Sequence, residues 1–348
     1  MTEKERLIYE LKAKNRILSE RLQTIERSLA WRLIQKIRFM IDSSFLKGSK
    51  SSRYCYSFIQ WVAKLFGVTG LPTQFYKTNI LTSTPTSKIQ NHSLVSILIP
   101  FRDGANLLKK CVDSILQKST YLNFEIIAIN NQSKKEDTFF LINELIQNQR
   151  IKFHDFPEDF NYSKINNFGA SFAKGDYLIF LNNDTEIITP NWIESMLEFC
   201  QNDEVGAVGP RLYYPDGTIQ HDGIMIGMHD LTDHIDKGLV PTSAFISEAK
   251  EVLAVTGACF MVKKKLFEQL GGFDENFKIY LNDVDFCLRL FEKGLINMVV
   301  PQVELYHFEG ASLKNLSICQ NQILEEKEEF MKRHSVLIAN GDPYFQLL

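Results

Sequence analysis

The sequence predicts an α/β fold: a mostly parallel central sheet flanked by helices, with an N-terminal helical extension. Three observations predict it. From residue 94 onward, short apolar runs alternate with segments whose apolar residues recur at helical spacing, the pattern of strands joined by crossover helices. The runs are continuously apolar, as strands buried on both faces are. They also end abruptly in polar residues, as strands do when their carboxyl ends open into a ligand crevice.

The elements follow in order. Leu94 to Phe101 (LVSILIPF) is the first strand, closed by a proline, and Asn106 to Gln117 the first helix, with Leu107, Leu108, Cys111, Ile115 and Leu116 on one face. Phe124 to Ile129 is the second strand and Thr138 to Gln149 the second helix. Ile151 to Phe153, a helix around Ser163 to Ala173, and Tyr177 to Leu181 continue the alternation. Residues 54–93 include a stretch rich in Thr, Ser and Pro and read as a linker or lead-in. The compact domain is expected over 94–315, with a C-terminal helical tail over 316–348.

Residues 1–53 read as the helical extension. Residues 3–41 contain neither Pro nor Gly, and Ile8, Asn15, Leu22 and Leu29 form one seam row with Leu11, Leu18 and Ile25 as the other. Such a heptad pattern with one polar position fits a parallel homodimer; a single amphipathic helix packed on the domain fits it equally. From 30 to 53 six basic side chains (Arg32, Lys36, Arg38, Lys47, Lys50, Arg53) stand against one acid, Asp42, with Trp31, Leu33, Ile34, Ile37, Phe39 and Met40 among them. This composition fits ordinary packing of the apolar side chains on the domain slightly better than it fits peripheral contact with an anionic membrane surface, and both readings stand.

Composition narrows the function classes. The chain is 45% hydrophobic and 23% charged with net charge -3, which fits a globular protein and gives no basic domain for nucleic acid. The six cysteines lack paired spacing, so neither a disulfide framework nor a zinc site is expected. No run approaches the roughly 18 apolar residues of a membrane span. The expected location is the cytoplasm, including the inner face of the plasma membrane if the basic segment docks there.

The polar cluster Asn182-Asn183-Asp184 closes the run YLIFL. A carboxylate at a strand end can share a divalent cation with substrate phosphates; an Asn-Asp cluster can also simply cap a turn. The flanking residues carry more. GDYLIFLNNDTEI with PNWIESML, preceded by FNYSKINNFGASFAKGD and followed by VTGACFMVKKKLFEQLGGFDENF, YLNDVDFCLRLFEKG and VPQVELYHFEGAS, resembles glycosyltransferase family 2. The likeness runs from about Val95 to Ser312 and is strongest to the bacterial rhamnosyltransferase-like branch that builds cell-surface polysaccharides.

That resemblance implies a GT-A fold and an inverting, metal-dependent hexosyltransferase acting on a nucleotide-diphosphate sugar. Mn2+ or Mg2+ would be the cofactor, and a glycan or lipid-linked molecule the acceptor. By the same resemblance Asp184 and His307 hold the metal and Asp283 is the catalytic base, with Asp285 the fallback. Asn182 stands at the first position of the metal motif, where an acid is usual, and Asn282 replaces a Glu beside the base. Pro100, Phe101, Asp103, Asn130, Asn167, Asn182 and Asn183 are expected at the donor, Asn130 leaving uridine, thymidine and guanosine all open. Gly257 would let a sugar approach the backbone, and Asn282, His221 and His234 would touch donor or acceptor sugar. The stretch DGTIQHDGIMIGMHDLTDHIDKG, with His229 and several Asp, reads as a loop framing the acceptor site.

Two rival classes remain. A nucleotidyltransferase would carry a Gly-rich basic phosphate loop, but Phe101-Arg102-Asp103-Gly104-Ala105 offers one Gly and one Arg. A catalytically inactive, membrane-associated scaffold with the same fold is the alternative kept open by Asn at 130, 182 and 282.

Overall fold

Strand β1 (Val95–Phe101) starts the sheet, followed by α1 (Ala105–Lys118), β2 (Phe124–Asn130), α2 (Glu136–Leu145), β3 (Ile151–Asp155), α3 (Tyr162–Phe172) and β4 (Tyr177–Leu181). All seven elements expected from the alternation are present in that order. The computed structural model describes residues 93–226, 231–241, 248–308 and 320–344. The heptad of residues 8–29, the basic segment, the linker up to residue 92 and His229 lie outside them.

Beyond β4 the chain forms β5 (Thr185–Ile187), α4 (Trp192–Cys200), β6 (Val205–Tyr213), β7 (Ile219–His221), β8 (Ile224–Ile226), β9 (Thr232–His234), β10 (Lys250–Val252) and β11 (Cys259–Lys263). It continues with α5 (Lys264–Gln269), α6 (Asn282–Glu292), β12 (Ile296–His307), α7 (Gln320–Arg333) and α8 (Ser335–Asn340). The main sheet runs β10-β12-β6-β11-β4-β1-β2-β3, with β5 paired to β12 and β7 to β6; β8 and β9 pair separately. The β4-β1-β2-β3 half is parallel throughout, whereas β11 lies antiparallel between β4 and β6.

Side-chain alternation along the buried strands feeds two cores. Ile97, Ile99, Ile126, Ala128 and Ile179 face the helices α1, α2 and α4, whose Trp192 is fully buried. Leu98, Ile127, Ile129, Leu178 and Phe180 face the other side. There Phe180, Phe260, Phe267, Phe273 and Phe286 pack ring on ring, with centroids 4.8–6.1 Å apart. Period two in a strand that is apolar at every position explains why one run supplies both layers.

The strand order places the site. From β3 the chain crosses back over β2 and β1 to lay β4 on the far side of β1. At such a switch point, loops leaving adjacent strands diverge and open a crevice beyond their carboxyl ends. Residues 101–104 and 182–184 leave β1 and β4 there.

One expectation changes. The stretch 216–238, read as a loop, contains the three short strands β7, β8 and β9; among its described residues Ile219, Ile224, Met225, Ile226 and Ile235 are buried, which holds it as sheet. The C-terminal segment, expected to be helical, contains α7 and α8, and Phe330 of α7 is fully buried against Phe277.

Candidate active site

At the carboxyl end of β4, Asp184 is 5% exposed, and His307, the last residue of β12, is brought to it by the pairing of β12 with β5, where it stands opposite Thr185. The His307 Nε2 lies 3.2 Å from Asp184 Oδ1 and 3.4 Å from Asn182 Nδ2. The backbone fixes this approach from both sides: Phe308 N–H donates to Asp184 O at 2.8 Å, and Asn182 N–H to Ala258 O at 3.0 Å.

An oxygen and a nitrogen ligand turned toward each other fit a divalent cation by their chemistry. Among the described residues no group of three or more His, Cys, Asp and Glu side chains converges on such a point. A cation held by this pair would therefore draw most of its remaining ligands from phosphate oxygens and water, the usual habit of Mg2+ at phosphate sites.

The second acidic station joins the first through two residues. Ala258 accepts from Asn182, while the neighbouring Gly257 N–H donates to Asp283 Oδ2 at 2.5 Å. Asp283 occupies the first turn of α6, where its Oδ1 also accepts from Val284 N–H at 2.8 Å. Burial pushes its carboxyl above the ordinary aspartate range, against the downward pull of those N–H groups. The missing neighbouring Glu, replaced by Asn282, is thus not needed to make this group more basic.

Several expected residues have other employment. Asp285 is completely buried and accepts from Arg289 Nε at 2.9 Å and Arg333 at 3.0 Å, with His334 Nε2 at 3.0 Å. Burial alone would raise its carboxyl, but His334, Arg289 and Arg333 outweigh that and hold it low. This removes Asp285 as a fallback base: it is sealed from solvent and from any acceptor.

Asn167 is likewise a clamp and not a donor contact. Its Oδ1 accepts from Phe273 N–H and its Nδ2 donates to Phe273 O, both at 2.9 Å. The grip explains Gly272, which has φ +73° and whose added Cβ would lie 2.5 Å from Asn167 Oδ1.

The Phe101 ring is buried edge-on against Phe153, so Phe101 can present only backbone to the crevice. Asp103 Oδ1 accepts from Lys134 and Lys135 N–H, tying the loop after β1 to the loop after β2. Pro100 is half-buried beside it. Asn130, 6% exposed, donates to Asp155 Oδ1 at 2.8 Å and accepts from Ser133 N–H at 3.1 Å. Asn183 is buried at 6% exposure. Asn282, also buried, accepts from Asp283 N–H through Oδ1.

At Gly257 the close approach expected of a sugar is made by the protein. Tyr162 Oη donates to Gly257 O at 2.7 Å, and a Cβ on Gly257 would meet that oxygen at 2.8 Å. His221 is fully buried and so cannot face an acceptor; its Nδ1 lies 2.9 Å from Nδ1 of the half-buried His234. Burial, then the nearby His234, Lys250 and His307, hold the His221 ring far below the usual histidine range.

Sequence spacing does not single out Tyr162, Gln220 or Glu326. Tyr162 lies inside the quoted FNYSK and Gln220 beside His221, but nothing in spacing sets either apart. Glu326 sits in a helix whose charged residues all look alike in sequence, yet it is 2% exposed and accepts from three successive N–H groups, Lys278, Ile279 and Tyr280.

Comparison with known proteins agrees with this architecture. The chain resembles the crystal structure of GalNAc-T7 with UDP, GalNAc and Mn2+, with a TM-score of 0.53 and 21% identity over 64% of this chain and 45% of that one. The fold is GT-A, an α/β arrangement about the central sheet. The sequence model of glycosyl transferase family 2 matches residues 96–271, just over half of the 348 residues, and the chain belongs to that family.

Among relatives, the O-antigen biosynthesis protein RfbC of Myxococcus xanthus is 39% identical over 256 residues, 72% of this chain and 20% of that protein. The N-acetylglucosaminyl-diphospho-decaprenol L-rhamnosyltransferase of Mycobacterium tuberculosis is 30% identical over 149 residues, 39% of this chain and 48% of that protein. The expected kinship with bacterial rhamnosyltransferase-like proteins holds. The chain spans only a fifth to a half of these relatives' lengths. Among the described residues no helix is long and apolar enough to cross a membrane.

Proposed function

We propose that the chain transfers a sugar from a nucleotide-diphosphate donor to a glycan or lipid-linked acceptor, with inversion at the anomeric carbon, in the synthesis of a bacterial surface polysaccharide. The observation that carries this reading is the pair of acidic stations, Asp184 with His307 and Asp283, coupled through the backbone of Gly257 and Ala258. The names of the relatives from Myxococcus xanthus and Mycobacterium tuberculosis support the polysaccharide and lipid-linked classes. The UDP and Mn2+ of GalNAc-T7 support the donor class and a divalent ion.

Asp184 and His307 would hold the cation, which when bound neutralises charge developing on the departing diphosphate. The chain's own part is then proton management. Asp283 takes the proton of the acceptor hydroxyl as that oxygen attacks the anomeric carbon from the face opposite the diphosphate. Its raised basicity favours this transfer, and the N–H groups of Gly257 and Val284 keep the carboxylate aimed. Asp103 and Asn130 brace the loops after β1 and β2 that would flank the nucleotide. Docking of the basic N-terminal segment at the inner membrane face, and pairing through residues 8–29, belong to the same proposal; deleting residues 1–53 should release the protein from anionic vesicles and halve its mass in solution.

The test is hydrolysis and transfer with a panel of UDP-, dTDP- and GDP-sugars and Mn2+, comparing the wild type with Asp184→Ala and Asp283→Asn. One consumed donor is expected, with turnover lost in both variants and nucleotide binding kept in Asp283→Asn. If no donor binds with or without metal, the scaffold reading replaces this one.

A further inference from the structure

We infer that Gln220 is a positioning residue that fixes the His307 ring in the tautomer whose Nε2 lone pair faces Asp184. The inference deepens the proposed role of Asp184 and His307 and rests on it for its meaning, though not for its test. Gln220 is the middle residue of β7, 4% exposed, on the strand paired antiparallel to β6. Its Oε1 is 2.7 Å from His307 Nδ1, and its Nε2 donates to the His307 backbone oxygen at 3.4 Å.

These two contacts decide each other. A backbone carbonyl only accepts, so the NH2 end of the amide belongs on that side. The oxygen end is then left to Nδ1, and since an amide oxygen also only accepts, Nδ1 must carry a hydrogen. A metal-binding imidazole is neutral and has one N–H. With that hydrogen on Nδ1, the lone pair is on Nε2, the nitrogen 3.2 Å from Asp184 Oδ1.

The arrangement opposes a simpler one. Left to itself, the ring would place its hydrogen on Nε2 and donate to the Asp184 carboxylate, closing the pair as an ordinary hydrogen bond. Gln220 makes that tautomer unfavourable by setting an acceptor against an unprotonated Nδ1. A lone pair facing a carboxylate oxygen repels it, so the held tautomer leaves a gap whose electrostatics call for a cation. Outer partners of this kind typically change metal affinity by about 10–100-fold.

The experiment uses the full chain and two readouts. Long-range 15N–1H correlation spectra of the histidine rings, with His307 assigned by its loss in His307→Gln, report the tautomer without metal. Paramagnetic titration reports binding of Mn2+ alone and with UDP, dTDP or GDP. The wild type should show Nδ1–H at His307; Gln220→Leu should move the hydrogen to Nε2 and weaken Mn2+ binding about 10–100-fold. Gln220→Glu, which keeps an acceptor at Nδ1, should restore both. Nε2–H in the unmodified protein overturns the inference even if a variant misfolds, as does a tautomer indifferent to Gln220→Leu. If the wild type binds no Mn2+ yet the tautomer follows residue 220, the metal reading falls and the positioning role stands. If Mn2+ binds and neither its affinity nor the tautomer responds to Gln220→Leu, the reverse holds.

Discussion

At Asp283 two demands meet: the group must be desolvated enough to be basic and supported enough to stay ionised. Burial provides the first and the N–H groups of Gly257 and Val284 the second. Asp283→Asn should lower turnover about 10²–10⁴-fold. In the wild type the acid limb of kcat/KM should have its midpoint above 3.8, the ordinary aspartate value; a limb at or below it would assign the base elsewhere. Gly257 serves the same carboxylate by having no side chain. Gly257→Ala would bring a Cβ to 2.8 Å from Tyr162 Oη and 3.4 Å from the Asp283 Cβ, costing roughly 1–3 kcal/mol in urea unfolding. Because the crowding is with Tyr162, adding Tyr162→Phe should cost less in Gly257→Ala than in the wild type; strictly additive effects would show that the two do not touch.

At the scale of elements, α7 acts as a brace for α6. Glu326 accepts from three backbone N–H groups at 278–280, just before the left-handed Leu281 that starts α6, and Arg333 and His334 reach Asp285 inside it. Glu326→Leu should destabilise the chain by roughly 2–4 kcal/mol, since it strands buried donors. Hydrogen exchange should quicken at 278–281 while β1 and β2 stay protected; uniform quickening would mean that α7 stabilises the whole domain and not this loop. Such a brace is not legible in sequence, because its partners lie 46–48 residues apart and one of them is backbone. The parallel half of the sheet was legible for the opposite reason: Ile97, Ile126 and Ile179 sit in runs whose burial is written locally in their composition. The site divides along the same line. Asp184 and Asp283 stand out as acids at element ends, and the resemblance orders them. Asn167 and His221 look equally functional in sequence, and only their long-range partners, Phe273 and His234, show them to be packed away.

For the whole molecule, the buried histidine in β7 makes stability depend on pH through a group outside the proposed chemistry. His221 has its folded pKa far below the ordinary 6.5, chiefly through burial, while in the unfolded chain it titrates near that value. As pH falls below about 6.5, the unfolded chain therefore gains a proton that the native chain refuses. The native state loses stability on acidification at up to about 1.4 kcal/mol per pH unit, and regains it as pH rises. Asp283 acts with opposite sign: its folded pKa is raised, so between 3.8 and that raised value the native state binds the extra proton and gains stability as pH falls. Asp285 and Glu125, both held low, add to the acid loss only nearer the carboxylate range. The window just below pH 6.5 thus belongs to His221 among these groups. Urea unfolding at pH 7.5, 6.5 and 5.5 should show His221→Gln converging on the wild type as pH falls, because the variant has no proton to refuse. A constant offset across the three would mean that the imidazole contributes only packing and its hydrogen bond to His234. Convergence would place His221's share of the acid sensitivity in β7, one residue from the amide that holds His307; His154, whose ring is also held low by burial, contributes with the same sign.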